Sequence, residues 1–297
     1  MVTRVERKLI DGSFDIGVIS GLKGDAFGKA GVKAARELWR ELRQAVGYKS
    51  DTPILTSGAS QQKLSKNNLP SLALMLTPER GLMRAELSDV REAFGITGPI
   101  NLCPMASKGC AAACLVFSGQ SGMPQAQRAQ AVRTAFILSN PLAAGLLIGD
   151  EIRRALRKAP QINLRLNTTS DIRWEIVAPD MVQALADAGV LMYDYTAWSP
   201  LDRKASAAYS LTYSAKETAH TPDAYLADIL LSGRNVAVPF TTARGEALPA
   251  TWMGFPVIDG DESDERRNDP QGVVVGLRAK GYRWKRDNSA GFIRQAN

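Results

Sequence analysis

The sequence predicts an α/β protein: a (β/α)8 TIM-barrel-like fold with an N-terminal helical extension. Three observations predict it. Short apolar runs alternate with helical stretches from about residue 70 onward, which argues for parallel strands joined by right-handed crossovers. The runs number eight, the strand count of such a barrel. Polar residues collect just after most of them, at Asn167 to Asp171, Thr196, Ser214, Thr241, Thr242 and Asp259. Barrel enzymes build their sites at that end. A doubly wound open sheet is the competing architecture, because one run is short and no helix fits between the sixth and seventh.

The strand runs are 71–76, 99–102, 162–167, 190–196, 209–214, 235–240, 252–258 and 272–277. Helical stretches are expected over 84–94, 124–139, 141–158, 179–188 and 222–232. Pro124 and Pro222 fit first-turn positions, and Thr221 fits a cap. Upstream, "GKAGVKAARELWRELRQAVGY" reads as one helix, because Val32, Leu38, Leu42 and Val46 recur at roughly helical spacing. "TSGASQQKLSKNN" (56–68) is small and polar and reads as a loop. The expected division is 1–55, a helical extension packed on the barrel, and 56–297, the barrel itself.

The 297 residues are 45% hydrophobic and 23% charged, ordinary for a globular chain. No run of about 18 apolar residues predicts a membrane span. The N-terminus has no apolar signal core, so secretion is not expected. The net charge of +7 permits nucleic-acid binding without specifying it. The densest basic groups, "RRALRK" (153–158), "ERR" (265–267) and "RWKR" (283–286), read first as solvated surface. No Walker-type or dinucleotide-type glycine loop is present.

The chemistry concentrates in "NLCPMASKGCAAACLVFSGQSG", residues 101–122, which holds all three cysteines of the chain. Cys103, Cys110 and Cys114 are spaced C-x6-C-x3-C. If "CAAACL" is helical, Cys110 and Cys114 lie one turn apart on one face. Ala111, Ala112 and Ala113 are small, so a bulky inorganic centre can approach the backbone, and Gly109 lets the loop turn back. An odd cysteine count without a secretory signal argues against a disulfide framework and for metal or catalysis. Three thiolates suit an iron–sulfur cluster, 4Fe–4S or 3Fe–4S, with one non-cysteine or open position. They also suit zinc if a fourth ligand exists. His220, the only histidine, and Asp171 are the candidate extra ligands. A thiol nucleophile would want a neighbouring base, and the segment has none. Three small buried hydrophobes are the plain alternative, but twelve residues holding every cysteine fit it poorly.

Other residues carry open readings. Arg165 and Asn167 lie two apart on a strand and so share a face, inward in a barrel. A buried arginine needs a partner, Asp194 or Glu175, or else a phosphate or carboxylate ligand. Tyr193, Tyr195 and Trp198 read as core rather than as base-stacking platforms. "DGDESDERRNDPQG" (259–272) lacks the calcium-loop order and reads as a solvated charged loop. Arg278 and Lys280 follow a strand, where they can bind an anion.

"NLCPMASKGCAAACL", then "SGMPQAQRAQAVRTAFILSNP" and "INLRLNTTSDIRWE", resemble the bacteriophage gene product 88 domain family. That pattern has a C-P-x-A-x-x-G-C-x-x-x-C-L core and an R-L-N-x-T-S-D strand end. Ser60 departs from the asparagine usual in the family's opening. The resemblance covers roughly 55 to 280 and implies a phage-encoded protein in the bacterial host cytoplasm. By architecture the cysteine segment also looks like radical S-adenosylmethionine enzymes, but those use C-x3-C-x2-C, which puts binding of that cofactor in doubt. The expected function is therefore an iron–sulfur protein: Cys103, Cys110 and Cys114 as metal ligands, Arg165, Asn167, Asp171 and Arg278 around a bound cofactor or small molecule. The alternative is a non-enzymatic phage protein with a structural metal, binding nucleic acid or a host factor. No membrane partner is expected.

Overall fold

The structure is a computed structural model that describes residues 1–12, 14, 29–48, 51–58, 66–280, 288 and 291–296. Its framework is a mostly parallel sheet. The strands are β1 (Thr56–Ser57), β2 (Ser71–Ala73), β3 (Ile162–Arg165), β4 (Val190–Thr196), β5 (Tyr209–Ser214), β6 (Val236–Phe240), β7 (Thr251–Trp252), β8 (Phe255–Asp259) and β9 (Val274–Arg278). Their order is β1-β2-β3-β4-β5-β6-β9-β8-β7. From β2 to β8 all neighbours run parallel, while β1 and β7 are short antiparallel edges. The fold is thus mixed α/β, and the sheet keeps two edges.

The helices are α1 (Arg4–Asp11), α2 (Lys29–Ala45), α3 (Ser88–Ala93), α4 (Lys108–Ala112), α5 (Pro124–Ser139), α6 (Pro141–Leu156), α7 (Trp174–Val177), α8 (Pro179–Asp187) and α9 (Asp223–Leu231). Pro124, Pro141 and Pro179 each start a helix, where proline's missing N–H costs no hydrogen bond. Pro222 falls one residue earlier, as the cap of α9. Thr221 does not cap α9; its hydroxyl is exchanged with the backbone of Lys216 instead. α1 was not legible as a periodic pattern, yet "TRVE" carries a capping box: Glu6 N–H donates to Thr3 Oγ1 and Thr3 N–H to Glu6 Oε2.

One hydrophobic core joins β3 and β4 to α1, α2, α5, α6 and α8 through Ile162, Leu164, Val190 and Met192. α5 lies deepest and is buried continuously from Gln130 to Leu138. A smaller core packs α9 on β5, β6 and β9. α1 and α2 pack into the main core through Val5, Leu9, Val32 and Trp39. Trp39 of α2 meets Phe136 of α5 at 4.8 Å between ring centroids. Glu6 of α1 is buried against the Arg173 guanidinium at 2.8 Å.

Three sequence expectations change. Residues 99–102 form no strand. Ile100 and Leu102 are buried, but the segment crosses strand ends, with Leu102 N–H donating to Glu79 O and Leu102 O accepting from Asp171 N–H. The 252–258 run is a hairpin, because Met253 and Gly254 both have left-handed φ, +53° and +81°, as a two-residue turn requires. The charged loop after β8 is solvated only in part: Glu262, Arg267 and Asn268 are exposed, but its middle is buried. Asp264 is 0% exposed, and Glu265 and Arg266 are buried. The loop lies under the sheet face opposite the main core. There Asp264 accepts from Arg165 Nη1 at 2.8 Å and from Tyr193 Oη at 3.1 Å. Glu265 accepts from Asn163 Nδ2 at 2.7 Å and from Leu69 N–H at 3.2 Å.

Candidate functional site

Cys103, Cys110 and Cys114 line one cavity of about 230 Å³ at the C-terminal ends of β3, β4, β5, β6 and β9. The local sequence explains how the thiols arrive. Asn101 Oδ1 accepts from Cys103 N–H at 2.9 Å, turning the chain at the end of the crossing segment. Ser107 then caps α4, its Oγ accepting from Cys110 N–H at 3.2 Å. α4 ends at Ala112, so Cys114 leaves the helix with extended backbone. The one-turn spacing expected for Cys110 and Cys114 is therefore broken, although both still face the cavity.

Gly109 permits the tightest approach. A Cβ there would stand 2.6 Å from Glu217 Oε1 and 2.6 Å from Phe292 Cβ. Its N–H instead donates to Glu217 Oε1 at 2.5 Å. Glu217 and Phe292 were not singled out from sequence. Glu217 follows β5, and Phe292 belongs to the C-terminal segment that bridges β6 through Arg294. Arg294 N–H donates to Pro239 O, and Arg294 Nη2 to Lys216 O, both at 2.8 Å. No local pattern links either residue to the cysteines, which lie over a hundred positions away.

The other four expected site residues, Arg165, Asn167, Asp171 and Arg278, also line this cavity. Their polar atoms are largely engaged by the protein. Arg165 pairs with Asp264 at 2.8 Å and stands 3.8 Å from Asp194. Glu175, its other expected partner, binds Arg203. Asn167 pins its own loop, accepting from Ile172 N–H and donating to Asp194. Asp171 accepts from Thr196 Oγ1, Ala197 N–H and Arg203 Nη1 at 2.7–2.9 Å, so both oxygens of its carboxylate are engaged within the protein. Arg278 is held by Asp259 at 2.7 Å, and Lys280 by Asp261 at 2.9 Å. His220 does not line the cavity; its side chain is 57% exposed, 3.9 Å from Glu217. Tyr193 and Trp198 are buried, as expected, but Tyr195 is half-buried and lines the cavity instead.

The electrostatics suit a cation among the sulfurs. Burial pushes the Cys110 thiol up to about 12, and neighbouring Cys114, Asp171 and Glu217 add to it. Burial raises Cys103 well above its ordinary value, reinforced by Asp171 and the other two thiols. Burial and mutual repulsion thus disfavour the thiolates, and a positive centre bound among them would offset both. Lys216, half-buried and near Cys110, has its own ammonium disfavoured by burial. Among the described residues, no three His, Cys, Asp or Glu side chains converge as the shell of a single ion.

Comparison with characterised proteins and with solved structures finds no significant match. A family match described as Gene product 88 covers residues 53–296. It begins beyond α1 and α2 and takes in the whole sheet, the cysteine segment and the C-terminal strap. This chain therefore belongs to the phage Gene product 88 family.

Proposed function

We propose that this protein binds an iron–sulfur cluster through Cys103, Cys110 and Cys114, beside a pocket for a small molecule. The observation that carries the reading is the gathering of all three thiols of the chain on one strand-end cavity. Three thiols are the ligand type such a cluster takes, and among the described residues they do not converge with other side chains as the shell of a single ion. The raised thiols argue against cysteine nucleophilic catalysis, which needs a depressed pKa or an adjacent base. When bound, a cluster of this kind supplies electron transfer or an iron open to ligand.

The chain's own residues shape that pocket. Asp171 is spent on Arg203 and the Thr196–Ala197 backbone, so it orders the loop rather than ligating. Ala197, Ala215 and Ala237 keep the strand ends small and leave room beside the sulfurs. Arg165 sits at the base, with Tyr195 against its guanidinium at 4.8 Å.

A (β/α)8-like barrel is the finer reading of the fold. Sequential order from β2 to β6, and contacts from Lys66–Leu69 to Asp261–Glu265 across the sheet, support a sheet curled toward closure. S-adenosylmethionine is given no part, since the spacing here is C-x6-C-x3-C. The reducing host cytoplasm is the compartment such a site needs. Anaerobic iron and sulfide analysis with an absorption spectrum tests the function. About four irons and four sulfides per chain, or three and four, with a broad band near 400 nm, are expected. One zinc and no sulfide would overturn the proposal, as would unchanged iron in Cys110→Ala.

A further inference from the structure

The sequence singles out "RRALRK" (153–158), and neither the cavity nor the cysteines use it. In the fold this stretch ends α6, which packs along α2. Asp150, buried between the two helices, receives Arg36 from α2 at 3.0 Å and Arg153 at 2.6 Å, and Arg154 as well. One carboxylate neutralises one of these three guanidinium groups. Lys33 lies one turn before Arg36, and Arg157 and Lys158 follow Arg154; all three are exposed. Lys33 has only a weak contact with Glu37 at 4.0 Å. Six basic side chains thus stand with three acidic ones, Asp150, Glu37 and Glu151, the last drawn to Arg154, a surplus of three on two packed helices. None of the six lines the cysteine cavity.

We infer that this α2–α6 face binds the phosphodiester backbone of nucleic acid without regard to sequence. Guanidinium groups form bidentate hydrogen bonds with phosphate oxygens, and a regular row of phosphates matches cations spread along two packed helices. An anionic membrane surface is the other polyanion such a face can meet. Stable membrane association would add exposed apolar side chains among the cations. The exposed large hydrophobics of the described chain are Met1, Ile10, Leu115, Met123, Leu142, Leu201 and Leu231, and none falls within 33–40 or 150–158. This inference stands apart from the metal reading and survives its failure.

The test is fluorescence anisotropy of a labelled 20-base-pair DNA duplex against the full chain, at salt concentrations from 50 to 200 mM. Six phosphate contacts predict a log–log salt slope of about −5 and a loss of about a thousandfold in affinity over that range. The variant Lys33→Glu, Arg157→Glu, Lys158→Glu removes exposed cations that hold no fold-critical bond. It should weaken binding at least tenfold and flatten the slope by about three. A charge-matched control, Lys204→Glu, Arg234→Glu, Arg244→Glu, alters exposed residues elsewhere and should keep most of the affinity. Equal weakening by both triple variants would assign the effect to net charge and overturn the proposal. So would no binding at 50 mM salt, or binding to phosphatidylserine vesicles without binding to the duplex.

Discussion

Glu151 shows how burial rather than pairing sets the behaviour of single residues in this chain. Its carboxylate accepts from Ile54 N–H at 2.9 Å and Leu55 N–H at 2.7 Å. Burial nevertheless pushes it from 4.5 up to about 7, against those bonds and against Arg133 and Arg154. The folded protein then keeps a proton that the unfolded chain releases above about pH 4.5. This contribution to stability is complete below that pH and is lost as the pH rises through about 7. The loss is on the order of 3 kcal/mol. Urea unfolding at pH 5 and pH 8 should show a smaller fall for Glu151→Gln than for wild type. An equal fall in both would assign the pH dependence elsewhere, with Asp194, raised to about 6 mainly by burial, the next group to test. At this scale the sequence is partly legible. Arg165 reads as a buried arginine needing a partner, but its partner, Asp264, lies 99 residues away in a loop that composition marks as solvated.

Among the elements, α4 carries Cys110 and depends most on its surroundings for its position. It has five residues, too few to stand alone in water. Its position depends on the Ser107 cap, on Glu217 and on the close packing of Gly109 against Phe292. Gly109→Ala forces Glu217 or the strap to move and should lower iron retained per chain at least twofold. Far-UV circular dichroism should stay near wild type. Full iron loading in Gly109→Ala would show that the strap does not hold α4 in place. Long helices were legible because burial and propensity agree: α5 begins and ends where expected, and α6, α8 and α9 differ by a residue or two at their ends. The β7–β8 hairpin was not, because Met253 lacks the usual turn signature and only its left-handed backbone shows the break.

The whole molecule is a parallel sheet with helices packed on one face and a charged loop packed beneath the other. That loop runs from β8 to β9, neighbours that are parallel, so the chain must return the length of the sheet. It does so as an irregular segment whose carboxylates meet the polar faces of β3 and β4. Removing one partner of such a buried pair leaves an uncompensated charge, which costs about 3–5 kcal/mol. Asp264→Ala should therefore lower the thermal midpoint sharply, because Arg165 and Tyr193 lose their acceptor. A midpoint within 2 °C of wild type, a shift of about 1 kcal/mol for a chain of this length and well short of the expected loss, would mean that the loop is dispensable to the fold.

By itself the sequence determined the alternation of strands and helices, the family, and the one place where the chain's thiols are concentrated. These are local properties: periodicity, caps, and residues counted along the chain. The tertiary structure alone decided that 99–102 is a crossing segment, that the middle of the acidic loop after β8 is buried, and that Glu217 and Phe292 pack against the cysteine helix. It also brought Arg36 of α2 onto Asp150 beside Arg153 and Arg154. Each of these depends on which distant partner compensates a buried charge or fills the space beside a glycine. Such partners are chosen by packing between segments a hundred or more residues apart, and spacing along the chain does not encode that choice.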